Sequence, residues 1–444
     1  MKTQQSFRFN NVPKASWSWC VAVMALNLAA GFSNVAQAAV FDVDLTSSRF
    51  SLYTDPYNGN VVKLGGFSGM VPVPGQANAF YMVTDRGPKP GVVNSSGTSF
   101  DVFIRPDFGP HIVKAHLRPD GRAIISEVRP LRNLRGERIT GLPNTTPATG
   151  FGYDVNLNLI GNGLDDDGID AEGITLDPWG NFWICEEYRP SVLLVARTGH
   201  VLFRLVPEGT LTGAEKIPTF DVLPGILTKR RNNRGLEGIA ATSDGMIYAV
   251  MQRPLNNPSQ TVGNASRNAR IVAINLRALY HPCGEPAVRQ LIYRTEASTS
   301  PANVLLSDIF SLTPSRFLVS ERRTDKLFSI DATGATDITP LENPDGTLVA
   351  DPTKTIEMLD DVGLAVLGVT TVAKTVVLAS LTAIDPLLAT CEGVCVAGGN
   401  IVLTHDNDFG LLDAVAPANP NPYGPFVEIP LSGNSAKIFT IPLP

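Results

Sequence analysis

The chain has 444 residues, with 42 acidic against 36 basic side chains and a formal net charge of −6. That balance excludes the basic footprint by which proteins grip nucleic acid. With 39 Gly and 34 Pro the sequence is densely punctuated, which argues against long helices and for many short strands.

Residues 1–38 read as an export signal. Lys2, Arg8 and Lys14 are its only charges, residues 21–30 form a mainly apolar core, and Ala36-Gln37-Ala38 fits a small-residue cleavage site. Cleavage removes three basic residues and no acid, so the charge of residues 39–444 moves from −6 to about −9. No later stretch offers the ~20 apolar residues a bilayer-spanning helix needs, so the mature protein is expected in the periplasm or the extracellular medium, with no membrane span. Four cysteines remain, Cys185, Cys283, Cys391 and Cys395, an even number in a compartment that permits disulfides. Cys391 and Cys395 are close enough in sequence to bridge, although Cys395 falls at a strand position that suits a buried thiol as well. The scattered histidines, His111, His116, His200, His281 and His405, supply no zinc set.

In chain order, residues 40–45 read as a strand. Ser68-Gly69-Met70, a turn at Pro74-Gly75-Gln76 and a strand at 80–84 then lead to Asp85-Arg86-Gly87-Pro88. Residues 111–117 and 123–128 form a hairpin about Pro119-Asp120-Gly121. Residues 133–170, poor in apolar runs, read as a loop insertion that ends in the acidic run Asp165-Asp166-Asp167. That run is part of a calcium loop or simply a solvated acidic turn. Next come Glu172-Gly173-Ile174, a turn at Gly180 and Glu186-Glu187-Tyr188-Arg189-Pro190; then Glu237-Gly238-Ile239, a turn at Gly245 and Gln252-Arg253-Pro254. Ser307-Asp308-Ile309 leads to Glu321-Arg322-Arg323, residues 358–372 carry the one hint of a helix, and Glu392-Gly393-Val394 leads through Gly398-Gly399 to His405-Asp406-Asn407-Asp408. A final strand is expected at 437–441.

The same phrase thus recurs: Glu-Gly or its variant, an apolar run, a tight turn, a second apolar run and a cluster of charges. A hairpin folded at each turn brings the two polar ends together. Successive hairpins as the inner strands of propeller blades bring all those ends to one rim of a central channel. The fold class is therefore all-β, a β-propeller of five or six blades forming a single domain at 39–444, its ring closed by pairing of the N- and C-terminal strands.

Asp170-Ala171-Glu172-Gly173-Ile174, Glu186-Glu187 with Arg189-Pro190, Gly235-Leu236-Glu237-Gly238-Ile239, Glu321-Arg322 and Asp406-Asn407-Asp408-Phe409 resemble the bacterial and plant phytase-like family, also described as having esterase-like activity of phytase. The resemblance implies a β-propeller and hydrolysis of phosphate or carboxylic esters.

The expected rim gathers Asp85, Glu172, Glu186 or Glu187, Glu237, Asp308, Glu321, Glu392, Asp406 and Asp408, with Arg86, Arg189, Arg253 and Arg322. Such a ring repels itself unless Arg pairs or a bound cation neutralise it, and all-oxygen donors suit a divalent cation such as calcium. Asp85, Glu172, Glu392, Asp406 and Asp408 are the candidate metal ligands, Glu187, Arg189, Glu237 and Arg253 the candidate catalytic groups, and Arg86 and Arg322 the candidate substrate-binding groups. The expected partner is a small-molecule ester, possible phosphorylation included. Two alternatives stand beside this reading: a non-catalytic propeller that binds a ligand or protein at its rim, and a hydrolase of lactones or carboxylic esters. The Glu residues could equally tie neighbouring strands together. Ser68 stands where other copies carry Glu, but no Gly-x-Ser-x-Gly elbow surrounds it.

Overall fold

A computed structural model describes residues 38–93, 97–144, 150–210, 213–281, 284, 286–298, 304–415 and 427–443. The export signal and Cys283 therefore fall outside the described residues, apart from Ala38. The architecture is mostly β, built from four-stranded antiparallel units arranged in chain order. The first comprises Phe67–Pro72, Ala79–Thr84, His111–Leu117 and Arg122–Pro130. The second is Ala171–Leu176, Phe182–Glu186, Ser191–Val195 and Val201–Pro207, extended by the parallel strand Thr219–Leu223. The third is Leu236–Ala241, Met246–Met251, Asn268–Asn275 and Val288–Arg294, and the fourth is Leu305–Ser311, Arg316–Arg322, Lys326–Asp331 and Ala373–Leu378. The last takes Cys391–Ala397, Asn400–His405 and Lys437–Pro442 from the end of the chain and Ala39–Asp44 from its beginning.

That shared unit closes a circle. Ala39–Asp44 pairs antiparallel with Lys437–Pro442 on one side and parallel with Arg122–Pro130 on the other, so the last and first units become one continuous sheet. The leading strands of the units also touch in cyclic order, each packed on the next and Cys391–Ala397 back on Phe67–Pro72. Period-two alternation along the strands sends successive side chains into different seams. Val83 joins Ile174 and Ile184 between the first two units, whereas its neighbour Met82 joins Cys395 and Val402 between the last and the first. Trp183 and Ile247, Tyr248 and Phe317, and Leu318 and Ile401 fill the remaining seams. Each such buried side chain contributes about 1.5–3 kcal/mol of transfer free energy.

Two expectations are corrected here. Cys391 and Cys395 are free thiols. They lie on the one extended strand Cys391–Ala397, where four residues span about 13 Å, well beyond the reach of a disulfide. The helix expected over 358–372 shortens to Asp361–Val366, capped by Asp360, whose side chain accepts from the Gly363 amide. No helix among the described residues is long and apolar enough to cross a membrane.

Candidate active site

The site is built by an irregularity that every leading strand repeats. Pairing runs from Ala171 opposite Glu186 to Gly173 opposite Cys185, so Glu172 is an extra residue with no partner across the hairpin. The same β-bulge falls at Glu237, between Leu236 and Gly238, and at Glu392, between Cys391 and Gly393. In the first and fourth units it spans Ser68-Gly69 and Ser307-Asp308. A bulge breaks the alternation of a strand and re-aims one side chain, which is how a polar group leaves an otherwise apolar face.

The glycine after each bulged residue has a separate cause. A Cβ on Gly69 would stand 2.7 Å from the Gly173 Cα, one on Gly173 2.9 Å from the Ile239 amide, one on Gly238 2.7 Å from the Asp308 Cα, and one on Gly393 2.9 Å from the Ser68 carbonyl. Neighbouring backbones thus approach closely round the axis, and only glycine fits. Asp308 occupies the glycine position of the fourth unit and reaches across instead: its Oδ2 accepts from the Val394 amide at 2.9 Å and its Oδ1 from its neighbour Ile309 at 2.9 Å. Asp308 is therefore a seam residue and not a rim carboxylate, and Ser307 is the counterpart of the glutamates.

A second tier stands one step beyond the end of four of the second strands and at the last residue of the fifth. The amides of Asp85, Glu187, Gln252 and Asp406 donate to the carbonyls of Gly66, Asp170, Gly235 and Thr390, and Arg322 pairs opposite Leu305 in the corresponding place. Two tiers result: Ser68, Glu172, Glu237, Ser307 and Glu392 below, and Asp85, Glu187, Gln252, Arg322 and Asp406 above. They hold six carboxylates and one guanidinium.

The contacts within this set are dense. Ser68 Oγ lies 3.1 Å from Glu172 Oε2 and 3.4 Å from Glu392 Oε2, and its single proton serves one of them at a time. Arg322 donates to Glu392 Oε1 and, at 3.1 Å, to Glu237 Oε1, which Gln252 Nε2 also approaches. Glu187 meets Arg234 at 3.4 Å. Arg86 pairs with Asp170 and donates to Asn233 Oδ1 at 2.8 Å. Glu237 Oε2, Gln252 Oε1 and Asp170 Oδ1 are buried with no hydrogen-bond partner among the described residues.

The electrostatics follow from burial of like charges. Burial, and then the facing Glu237 and Asp85, hold Glu172 well above the carboxylate range. Burial and Glu187 do the same to Glu237 against the pull of Arg322. Burial pushes Glu392 up to about 7, and burial with the Asp408 charge pushes Asp406 up to about 7. Burial and Asp85 bring Asp408 to about 6. Asp408 and Phe409 have φ of 45° and 54°, a left-handed turn that non-glycine residues resist and that places the Asp408 amide 2.7 Å from Asp406 Oδ1.

Of the residues expected from the sequence, Asp85, Arg86, Glu172, Glu187, Glu237, Arg322, Glu392, Asp406 and Asp408 come together at this end of the channel. Arg189 does not. It lies one position beyond the counterpart of Arg253, and its guanidinium turns outward to Glu215 at 2.7 Å. Glu186 also turns away, accepting from the Arg189 amide and Ser191. Glu321 is bound by Tyr293, Glu296, Thr324 and Lys374 between sheets. The acidic run is likewise consumed internally: Asp167 accepts from the Lys216 and Ile217 amides and Asp166 from that of Ala214. Arg253 stands at the edge of the site. Its guanidinium and that of Arg231 share Asn264 Oδ1 at 2.9 and 3.5 Å. Burial, with the charges of Arg231 and Arg234, lowers Arg253 to about 10.

Sequence reasoning missed Asp170, Gln252, Asn233, Arg231 and Arg234 as site residues. Asp170 and Gln252 stood inside the recurring phrases and needed only the bulge register to be assigned. The other three come from the connection before the third unit, where no repeat marks them.

Two sets of carboxylates bring one oxygen each to within 4.8 Å of one another: Asp85 with Asp170 and Glu172, and Glu172 with Glu187 and Glu237. The donors are all oxygen, several are orphaned, and the residues fit a hard divalent cation.

The sequence matches the Phytase-like family, described as esterase-like activity of phytase, over residues 62–409, and the chain belongs to that family. It is 26% identical over 169 residues to an uncharacterized secreted protein of Arthroderma benhamiae, covering 30% of this chain and 33% of that one, so the match spans about a third of the relative's length. Among solved structures, a selenomethionine-substituted virginiamycin B lyase from Staphylococcus aureus aligns over 92% of this chain and 100% of its own, at 8% identity and TM-score 0.31. The PQQ-bound aldose sugar dehydrogenase of Streptomyces coelicolor aligns over 91% and 98%, at 10% identity and TM-score 0.33.

Proposed function

We propose that this protein is an exported, five-bladed propeller that hydrolyses phosphoesters with the help of a divalent cation, calcium by preference, held at the mouth of its channel. The observation that carries the reading is the two-tier set, six carboxylates against one guanidinium, packed around buried oxygens that have no hydrogen-bond partner among the described residues. Left alone, that many like charges repel; Arg86 and Arg234 offset part of the charge, and a bound cation is the simplest source of the rest. Glu172, Glu187 and Glu237 would hold it, with Asp85 and Asp170 beside them. When bound, it would supply a water of lowered pKa and a positive charge toward a phosphoryl oxygen.

The chain's own residues divide the remaining work. Arg231, Arg234 and Arg253 form a cationic edge next to Glu187, suited to an anionic phosphate that bare carboxylates would repel. Arg322 is fixed by Glu237 and Glu392 and holds those two carboxylates in place. Arg86, oriented by Asp170 and Asn233, faces the same mouth and can bind substrate. Export rests on the apolar leader and accords with a relative labelled secreted.

The test compares p-nitrophenyl phosphate, p-nitrophenyl acetate and a simple lactone, each with calcium, with magnesium and with chelator. Phosphate-ester hydrolysis should require the cation and fall at least about a hundredfold in Glu187→Gln, with a melting temperature in chelator close to that of the unaltered protein. Hydrolysis confined to acetate or lactone would move the assignment to carboxylic esters. Inactivity with every cation, or activity that persists in chelator, would overturn it in favour of a binding module or another mechanism.

A further inference from the structure

A second cleft, of about 350 Å³, is lined in part by Phe108 and by no residue of the carboxylate tiers. Phe108 meets Phe409 of the 406–410 turn edge-on at 5.6 Å and His111 in a tilted contact at 4.7 Å. The cleft is lined by Arg49, Arg105 and Arg138 over an apolar floor that includes Phe50 and Phe108. In an acidic protein, three guanidiniums round one small cavity are unexpected, and their pairing is incomplete. Arg105 is held by Asp107 through two hydrogen bonds of 2.9 and 2.8 Å. Among the described residues Arg49 bonds only the Ile125 carbonyl, and it lies 4.5 Å over the Phe50 ring. Arg49 and Arg138 have no carboxylate within ion-pair distance among the described residues. His111 Nδ1, in the same lining, is buried without a hydrogen-bond partner among them.

Guanidiniums beside a ring face match a flat apolar group that carries an anionic substituent, because the ring takes the floor while the charge meets the arginines. We infer that this cleft is a binding site, separate from the channel mouth, for a small organic anion with an aromatic or similarly flat apolar body. An inorganic anion would leave the floor uncovered, and a neutral ring would leave Arg49 and Arg138 unpaired.

The probe is 8-anilinonaphthalene-1-sulfonate, an aromatic sulfonate whose fluorescence rises in apolar surroundings, titrated into the purified protein. Saturable binding to one site is expected, with an affinity that falls as sodium chloride is added. Arg138→Glu and Arg49→Glu, both at exposed positions, should each weaken it by roughly tenfold or more at matched melting temperature. Absence of saturable enhancement, or unaltered affinity in both variants, overturns the site.

Discussion

Gly173 shows how a single hydrogen can decide a fold. Its missing side chain lets two inner strands meet at backbone distance, and a Cβ there would also press on Cys185 Sγ at 2.9 Å. Gly173→Ala is expected to lower stability by about 1–3 kcal/mol, read as a shift in denaturant midpoint at constant m-value. Gly245, whose φ of +87° reflects a turn and whose Cβ would meet nothing within 4 Å, should accept Asn at much smaller cost. Arg322 is the other residue on which much depends. Arg322→Gln strips Glu237 and Glu392 of the one guanidinium that pairs with them among the described residues, and in chelator it should cost about 3–5 kcal/mol, the usual penalty for leaving buried charge unpaired. Saturating calcium should restore part of that loss, and an equal loss with and without calcium would argue against the cation.

At the scale of the strand, the β-bulge is the device that converts a structural repeat into a chemical one. Asp308 tests the relation between them, since it does by hydrogen bonding what glycine does elsewhere by absence. Asp308→Gly leaves the buried Val394 amide without its acceptor and should destabilise the protein by about 1–3 kcal/mol, measured by thermal or denaturant unfolding. The strands themselves were largely legible: 111–117 coincides with His111–Leu117, and 80–84 lies within Ala79–Thr84. Glu172, Glu237 and Glu392 were legible for the same reason they recur, because the glycine beside them is dictated by backbone packing. Arg189 was misread because the phrase after the second strand has no fixed register, and one residue's offset turned its side chain to Glu215. Arg231 and Arg234 lie in a connecting segment, where neither periodicity nor repeat constrains sequence.

For the molecule as a whole, the buried acids make stability a function of pH. Glu392, Asp406 and Asp408 have ordinary values of 4.5, 3.8 and 3.8 and folded ones of about 7, 7 and 6. A folded acid with a raised pKa binds more protons than its unfolded form, so its contribution is fully present below the ordinary value and is lost as pH rises through the folded one. In chelator the contribution of these three should therefore decline between about pH 4 and pH 7. Calcium should oppose the decline, adding about 2.7 kcal/mol at a hundredfold excess over its Kd, and the gap between the two melting curves should widen with pH. Superimposable curves across that range would remove the cation from the site. The pairing of Ala39 with Thr440 has a consequence of another kind, in time. Loop-closure entropy grows only logarithmically with length, so the equilibrium burden of so distant a contact is modest. Its order of formation is not negotiable, however. During synthesis Ala39–Asp44 can dock early on Arg122–Pro130 of the first sheet, but its other edge has no neighbour until Lys437–Pro442 emerges. A chain that emerges gradually keeps that β-edge open until residues 437–442 follow, and for that interval the same segment of a second copy is as good a partner as its own.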